Sequence, residues 1–356
     1  MTTTPFEPIT VGETPVPHRI FMSPMTRNRA TAEGGLVTDV MVDYYVQRAG
    51  AAALIITEGT QPSRVGQGYN ATPGLHSDEQ VAAWRTLTDA VHAAGGRIFA
   101  QIMHSGRIGH RDLTGLVPVA PSAVRAPGVT YTAEGPKEHD VPRELTEEEI
   151  LETIADHVSA ARNAVAAGFD GVELHSASGY LLHQFLSDSV NLRTDRWGGS
   201  TENRIRFVVE TVRAVAEAIG AQHVGLRISP GITDQGIVEN DPAELYTALL
   251  TALSDLPLAY VHTREQAGRD LTRKVRAAWP RTLVLNPQYD DERPPHEAVA
   301  DVFAEGIADA VTLGRAFLAN PDLVTRIKAQ GPYNTPDPAS YYGGDERGYT
   351  DYPALV

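Results

Sequence analysis

The chain contains no cysteine and almost no lysine, and its acidic residues outnumber its basic ones. The missing thiols exclude disulfides, iron–sulfur clusters, thiolate metal sites and a cysteine nucleophile. A net charge of −15 argues against nucleic acid or an anionic membrane as a partner. Lysine occurs only at Lys137, Lys274 and Lys328, so the remaining basic residues are arginines.

Long hydrophobic runs are also absent. The stretch Ala51–Ile56 is one of the most apolar, and it is far too short to span a bilayer. The first ten residues, MTTTPFEPIT, lack the basic cluster and apolar core of a secretory signal. We therefore expect a cytoplasmic protein that has no membrane partner.

Short apolar runs alternate with longer amphipathic segments along the 356 residues. Mostly continuous runs are typical of parallel strands buried on both faces. The predicted strands are Ile20–Met22, Ala53–Thr57, Arg97–Ile102, Gly171–Leu174, Val224–Ile228, Ala259–His262, Thr282–Leu285 and Ala310–Leu313. The predicted helices are Asp39–Ala49, Ser77–Ala94, Thr146–Ala167, Thr201–Ile219, Pro242–Leu253, Leu271–Ala278, Pro295–Glu305 and Pro321–Ala329. Capping signals mark three of the helix starts, at Ser77, Thr146 and Asp241.

Eight strand–helix units predict an α/β protein with a closed (β/α)8 TIM barrel, whereas a doubly wound open sheet is the alternative. The segment Arg107–Arg143, after the third strand, is rich in Pro, Gly and Thr and predicts an excursion over one end of the barrel. The tail Gly331–Val356 predicts an ordered, irregular cover. We expect one domain over residues 1–356.

The carboxyl ends of barrel strands meet at one rim, where the chemistry of such barrels takes place. Polar side chains follow nearly every predicted strand. They are Ser23 and Thr26, Glu58, Gln101 and His104, His175 with Ser178 and Tyr180, Arg227, His262, Asn286, and Arg315. Any one of them could be a satisfied loop residue, but their convergence at one rim favours a functional site.

Several chemistries are excluded by these strand ends. None of the lysines lies at a strand end, so a Schiff-base aldolase is excluded. No HxH, HExxH or GxSxG motif occurs, which argues against a metal site and a serine hydrolase. The donors Gln101, Thr26 and His175 suit the edge of a heteroaromatic ring, and Gly314 with Arg315 suits a phosphate. The rim therefore predicts a flat cofactor with a phosphate tail.

Five motifs in the chain resemble the Old Yellow Enzyme family, in the right order over nearly its whole length. They are MSPMTR from Met22, HSASGYLLHQF from His175, NLRTDRWGGSTENR from Asn191, LGRAFLANPD from Leu313 and GYTDYP from Gly348. The resemblance implies an FMN-dependent ene-reductase, with NADPH or NADH as reductant and an activated alkene (an α,β-unsaturated carbonyl or nitro compound) as substrate. Thr26, in place of a cysteine, resembles the Thr-type branch.

The resemblance also implies roles toward the flavin. Thr26 would contact flavin O4, Gln101 the pyrimidine edge, and Arg227 the N1/C2=O region, where a fixed cation stabilises negative charge. A further set would bind the phosphate or shape the flavin bed through backbone contacts, namely Gly314 and Arg315 for the phosphate, and Pro24 and Gly59 for the bed.

On the substrate side, the resemblance implies that His175 donates to the substrate carbonyl oxygen and that Tyr180 gives a proton to the α-carbon. Tyr69 and Tyr352 would line the substrate cavity. Ser178 stands where the family usually has His or Asn, so the second hydrogen-bond donor to the substrate, beside His175, is weakened or changed. Met103 replaces a frequent Trp and predicts a roomier pocket.

The third departure lies after the seventh strand, where Asn286-Pro287-Gln288 replaces a Gly-Gly turn. Proline has no N–H to offer a phosphate. We expect the Gln288 N–H and the Asn286 side chain to compensate. FMN binding would then be somewhat weaker than usual.

Two other functions remain open at this stage. The change at Ser178 is also compatible with a flavin-dependent desaturase or isomerase in a biosynthetic pathway, and a low-turnover flavin-binding protein is a third possibility. The sequence does not choose between NADPH and NADH, and it is compatible with a monomer or a homodimer.

Overall fold

The computed structural model describes residues 4–288 and 293–355. Its strands are β1 (Ile9–Val11), β2 (Thr14–Val16), β3 (Ile20–Met22), β4 (Ile55–Ile56), β5 (Ile98–Ile102), β6 (Val119–Ala120), β7 (Val129–Thr132), β8 (Gly135–Glu138), β9 (Arg143–Glu144), β10 (Gly171–Ser176), β11 (Val224–Ile228), β12 (Tyr260–Arg264), β13 (Leu283–Asn286) and β14 (Ala310–Leu313). Its α-helices are α1 (Asp39–Ala49), α2 (Asp78–Ala93), α3 (Arg111–Thr114), α4 (Glu147–Ala166), α5 (Leu181–Leu186), α6 (Thr201–Ile219), α7 (Pro242–Ala252), α8 (Arg269–Ala278), α9 (Pro295–Glu305), α10 (Arg315–Ala319) and α11 (Leu323–Ala329).

Eight parallel strands form a closed barrel, which confirms the predicted (β/α)8 architecture over the open sheet. Around the barrel the order is β3, β4, β5, β10, β11, β12, β13 and β14, and β14 pairs with β3. Three strands are longer at their carboxyl ends than predicted. β10 continues to Ser176, β12 to Arg264 and β13 to Asn286, because backbone pairing persists after the apolar run stops.

The helices begin where the capping residues predict. The Ser77 side chain accepts a hydrogen bond from the Gln80 N–H, and Thr146 with Glu149 forms a complete capping box. The Asp241 side chain accepts from the Glu244 N–H, ahead of a proline at the first helical position. Each such cap stabilises its helix by about 1 kcal/mol. None of the helices in the described ranges combines the length and apolar character needed to cross a bilayer.

Elements outside the eight units close the two ends of the barrel. The β1–β2 hairpin lies at the amino-terminal end, where Val11 and Val16 belong to the same buried cluster as Phe21. Gly12 adopts φ +59°, and a Cβ there would lie 1.8 Å from the Gln222 carbonyl oxygen. At the opposite end, the predicted excursion carries the antiparallel β7–β8 hairpin.

The C-terminal tail is fastened to α1 by aromatic and cationic side chains. Tyr349 stacks on Tyr44 with ring centroids 4.0 Å apart, and the Arg48 guanidinium lies 3.7 Å from the centre of the Tyr44 ring. Arg27 Nη2 donates to the Gly348 carbonyl at 2.8 Å. These contacts hold the tail in place, and residues 341–343 reach the barrel mouth.

Two buried histidines beside the barrel make stability depend on pH. Burial lowers the pKa of His104 to about 3 and that of His157 to about 4. His104 Nδ1 accepts a hydrogen bond from the Gly106 N–H at 3.0 Å, which leaves no free site for a second proton. Between about pH 6.5 and pH 4, these two imidazoles are therefore protonated in the unfolded chain and neutral in the folded chain.

We expect the free energy of unfolding to fall as pH drops below about 6.5, by about 2 kcal/mol for each ring by about pH 5. Denaturant unfolding at neutral and acidic pH measures this effect. The variant His157→Gln should flatten the pH dependence. Equal pH dependence in wild type and His157→Gln would contradict this account.

Candidate active site

A cleft of about 1100 Å³ opens at the carboxyl ends of the barrel strands. Its walls come from the segments that follow the strands, from the β7 side of the hairpin and from residues 341–343 of the tail. Twelve of the predicted site residues line it, namely Pro24, Thr26, Tyr69, Gln101, Met103, His175, Ser178, Tyr180, Arg227, Gln288, Gly314 and Arg315. The barrel thus brings these residues from distant segments of the chain to one cavity.

Two predicted site residues, Gly59 and Tyr352, are not part of the cleft wall. Gly59 lies behind Met103, and a Cβ on it would come within 2.6 Å of Met103 Sδ. Tyr352 is turned toward the tail itself, where its hydroxyl accepts from the Asp337 N–H at 2.8 Å. The tail instead contributes Tyr341 and Tyr342 to the cleft, because residues 341–343 are the part that reaches the mouth.

A buried polar network lies around Gln101, on the inner side of the cleft. The Glu173 carboxylate accepts from Gln101 Nε2 and from His262 Nδ1, each at 2.8 Å. Burial alone would raise the pKa of Glu173, but His262 and Arg227 hold it below its usual value. Because Gln101 Nε2 is engaged by Glu173, its Oε1 is the atom left to accept from a ring N–H. The partnership therefore orients the Gln101 amide.

Arg227 places a buried positive charge beside this network. Its Nη2 donates to Asn286 Oδ1 at 3.0 Å, whereas its Nε is buried without a hydrogen-bond partner in the described structure. Ser23 Oγ and His175 Nδ1 are likewise buried and unpartnered, and all three residues line the cleft. Unsatisfied polar atoms of this kind point to a polar group that the cleft is shaped to bind. A flat heterocycle with a phosphate tail, such as FMN, fits this donor set.

His175 and Tyr180 face the same part of the cleft, with ring centroids 5.1 Å apart. Burial, and then the charge of Arg227, lower the pKa of His175 well below its ordinary value, so its ring is neutral and carries one N–H. Burial raises the pKa of Tyr180, and a hydrogen bond with Tyr69 partly offsets that rise. The two hydroxyls are 2.8 Å apart. The cleft thus holds a neutral hydrogen-bond donor next to a protonated phenol.

Ser178 occupies a left-handed backbone conformation with φ +56°, held by a hydrogen bond from its N–H to Ser229 Oγ. Its hydroxyl oxygen lies 3.1 Å from Arg264 Nη1, and the same nitrogen lies 2.5 Å from Asp234 Oδ2. Arg264 was not among the predicted site residues because the predicted strand stopped at His262. Side chains two apart on a strand point the same way, and that signal would have found it.

The turn after β13 differs from the expectation. The Gln288 N–H donates to Glu265 Oε2 at 3.2 Å, and Asn286 Nδ2 donates to the Thr312 carbonyl, also at 3.2 Å. Asn286 Oδ1 is occupied by Arg227. Both groups that we expected to compensate for Pro287 are therefore engaged within the protein. For Gln288 the reason is the Glu265 carboxylate, which sequence spacing could not place, and for Asn286 it is the contacts with Thr312 and Arg227.

The neutral state of His175 has a consequence for activity. We expect kcat/KM for a neutral substrate to show no ionisation near pH 6.5, where a free imidazole titrates, because the ring stays unprotonated well below that pH. A pH profile on wild type measures this directly. A fall in kcat/KM with a midpoint near the free imidazole value would contradict it, provided that the protein remains folded.

Known proteins resemble this chain over its whole length. The NADH:flavin oxidoreductase / NADH oxidase family matches residues 5–334. A chanoclavine-I aldehyde reductase of Penicillium roqueforti is 41% identical, over 98% of this chain and 95% of its own. A probable flavin mononucleotide-dependent alkene reductase of Leishmania infantum is 40% identical, over 98% and 97%.

Solved structures agree with the fold. An old yellow enzyme homologue of Zymomonas mobilis superposes with a TM-score of 0.94 at 40% identity, covering 99% of this chain and 100% of its own. Morphinone reductase in complex with tetrahydroNAD superposes with a TM-score of 0.92 at 39% identity, covering 99% and 98%. Both likenesses extend through the barrel and the segments that form the cleft.

Proposed function

Because the chain belongs to the NADH:flavin oxidoreductase / NADH oxidase family, we propose that its cleft binds FMN at the barrel mouth and an activated alkene above it. The protein is an FMN- and NAD(P)H-dependent oxidoreductase of the Old Yellow Enzyme type, and it reduces the C=C bond of activated alkenes. We propose α,β-unsaturated carbonyl and nitro compounds as the substrate class. A cytoplasmic location, and a monomer or homodimer as the working form, remain proposals.

The chemistry that bound FMN would supply is hydride transfer from NAD(P)H to the β-carbon of the alkene. Gln101 Oε1 would accept from the ring N–H of the pyrimidine edge, because Glu173 holds the other end of the amide. Arg227 would supply positive charge on the same side, through the Nε that has no hydrogen-bond partner among the described residues. Thr26 would hydrogen-bond the ring.

A second group of residues would hold the rest of the cofactor. Gly314 and Arg315 would bind the phosphate, and Pro24 would wall the ring. Gln288 has only its side chain left to contribute, because its N–H donates to Glu265. Gly59 would act indirectly, by leaving space for Met103. We propose that FMN is held less firmly than a donor-rich phosphate turn would allow.

The residues above the ring would activate the alkene. The neutral His175 would donate its N–H to the acceptor oxygen of the substrate, which stabilises the negative charge that develops there. Tyr180 would then transfer its hydroxyl proton to the α-carbon. Tyr69 would hold the Tyr180 hydroxyl in place through their hydrogen bond. Ser178 and Met103 would complete the wall of the substrate pocket.

The observation that carries this proposal is the pairing of a neutral His175 with a protonated Tyr180 in the cleft that also contains Arg227. A protein that only bound flavin would have no use for a proton donor there, and no feature of the cleft specifically favours a desaturase or isomerase. The test is anaerobic reduction of the purified flavoprotein by NADPH, followed by 2-cyclohexenone. Bleaching and then recovery of the flavin absorption supports the proposal, and a lack of recovery contradicts it.

Met103 provides a test of the pocket's size. We expect Met103→Trp to lower kcat/KM for bulky ring-substituted cyclohexenones by about tenfold or more, because the larger ring fills space that those substituents need. The unsubstituted 2-cyclohexenone should be affected much less. A Met103→Leu control keeps the volume and should preserve the wild-type preference. Equal losses for small and bulky substrates would count against a size effect.

A further inference from the structure

Arg264 is the cationic side chain of the substrate cleft that neither the sequence motifs nor the proposed roles account for. It ends β12, two residues after His262, and contacts Ser178 and Asp234 across the cleft. We propose that Arg264 and Ser178 form a subsite for a negatively charged substituent, so that the enzyme favours activated alkenes that also carry a carboxylate. This inference rests on the proposed function and names the substrate class within it.

The contact between Arg264 and Ser178 decides which of the two groups donates the hydrogen bond. A guanidinium can only donate, so Ser178 Oγ accepts from Arg264 Nη1 in their 3.1 Å hydrogen bond. The serine O–H is therefore free to donate, and the described residues offer it no acceptor. The Ser178 backbone is held by Ser229, so the Ser178 hydroxyl stays beside the Arg264 guanidinium. A single anionic group can therefore accept hydrogen bonds from both. Both residues line the cleft together with His175.

Arg264 is unlike the arginines that hold the fold together. Arg48 is completely buried, and its guanidinium donates to four backbone carbonyls. Arg264 has 31% of its side chain exposed, and within the described ranges its hydrogen bonds come from Nη1 alone. Its Nε and Nη2 groups form no hydrogen bond with residues 4–288 or 293–355. A planar guanidinium with free N–H groups is the side chain that recognises carboxylates in two-point geometry.

Asp234 is the counterion of Arg264 when no ligand is bound. It lies in the loop after β11, has 33% of its side chain exposed and lines the same cleft. A ligand carboxylate must share Arg264 with this aspartate, so removing the charge of Asp234 should strengthen the binding of an anionic ligand. The other carboxylate of the wall, Glu265, accepts from Thr272 Oγ1 and lies 3.3 Å from the Arg269 guanidinium.

The test compares an acid with its own ester. The substrates are trans-4-oxo-2-pentenoate and methyl trans-4-oxo-2-pentenoate, which share the reacting enone and differ in charge. The variants are Arg264→Gln, Arg264→Lys and Asp234→Asn, with Arg213→Gln as a control, because Arg213 pairs with Asp255 on the exposed surface. The binding readout is the Kd of 4-oxopentanoate, which has no C=C bond to reduce, from its perturbation of the flavin absorption of the holoenzyme.

In Arg264→Gln we expect the acid-to-ester ratio of kcat/KM to fall, and the Kd of 4-oxopentanoate to rise, by about tenfold or more, as for loss of a charge-assisted hydrogen bond. Arg264→Lys should restore part of both losses. Asp234→Asn should lower the Kd severalfold, whereas Arg213→Gln should change neither value. If Arg264 served only the fold, the Kd of 4-oxopentanoate would not rise in Arg264→Gln and fall in Asp234→Asn.

An unchanged acid-to-ester ratio in Arg264→Gln, or an affinity for 4-oxopentanoate that does not rise in Asp234→Asn, would overturn the subsite. Failure of wild type to reduce the methyl ester would instead count against the proposed function. The 4-oxopentanoate titrations still test the subsite in that event, since they measure binding and not turnover. The two failures are therefore distinguishable.

Discussion

Replacing Tyr180 with Phe should slow the oxidation of the reduced flavoprotein by 2-cyclohexenone by about 10²-fold to 10⁴-fold, the range of a lost general acid. The ring of Tyr180 would remain in its place beside His175, and only the proton donor would be lost. Reduction of the flavin by NADPH should keep its wild-type rate, since that step does not use the proton of Tyr180. Anaerobic stopped-flow measurement of the two half-reactions separates them.

Tyr69→Phe is the matched control, because it removes the hydroxyl that bonds to Tyr180 and leaves the proton donor intact. We expect a loss of about tenfold or less, the value of one ordinary hydrogen bond. If Tyr180→Phe reduces the alkene within twofold of wild type, the proton comes from elsewhere, and the role assigned to Tyr180 is wrong.

His175→Leu should lower kcat/KM for a neutral enone by about 10²-fold to 10³-fold, the loss that follows removal of one oxyanion donor. The ring centroids of His175 and Tyr180 are 5.1 Å apart, and the side chain of Ser178 is too short to replace an imidazole. The variant should still bind FMN and become reduced by NADPH. Steady-state kinetics with 2-cyclohexenone, together with the flavin content of the purified variant, measure both properties.

Ser176→Ala is the control for this strand. Successive side chains of a strand point to opposite faces. Ser176 is fully buried, and in the part of the chain that the structure describes its hydroxyl has no hydrogen-bond partner. Its replacement perturbs β10 next to His175 without touching the cleft, so we expect near wild-type kinetics. A comparable loss in both variants would mean that the strand, and not the imidazole, is responsible.

Much of the fold was predictable because its signals are local. Continuous apolar runs such as Val224–Ile228 mark buried parallel strands, and capping residues such as Ser77 and Thr146 mark the starts of helices. The strand-end rule of barrels also predicts that His175, Tyr180 and Arg227 lie at one rim, and all three line the cleft. The strand ends were less predictable, because backbone pairing continued through polar residues up to Arg264 and Asn286.

Partner choice was the part that sequence spacing could not predict. The Gln288 N–H was expected to face a phosphate and instead donates to Glu265, 23 residues away in sequence. Tyr352 was expected in the substrate cavity and instead accepts from Asp337. In both cases another part of the chain, a carboxylate for the Gln288 N–H and a tail segment for the Tyr352 hydroxyl, forms the hydrogen bond instead. The path of the loop determines which partner lies within reach.

Taken alone, the sequence determined the succession of strand–helix units, the positions of the helix caps and the side chains that follow each strand, because these depend on composition and short-range periodicity. The family was indicated separately, by the resemblance of five sequence motifs. Only the tertiary structure decided that Arg264 meets Ser178, 86 residues away, and Asp234, 30 residues away. The physical reason is that barrel closure and loop packing bring these groups together, and a hydrogen bond depends on position to within a few tenths of an ångström.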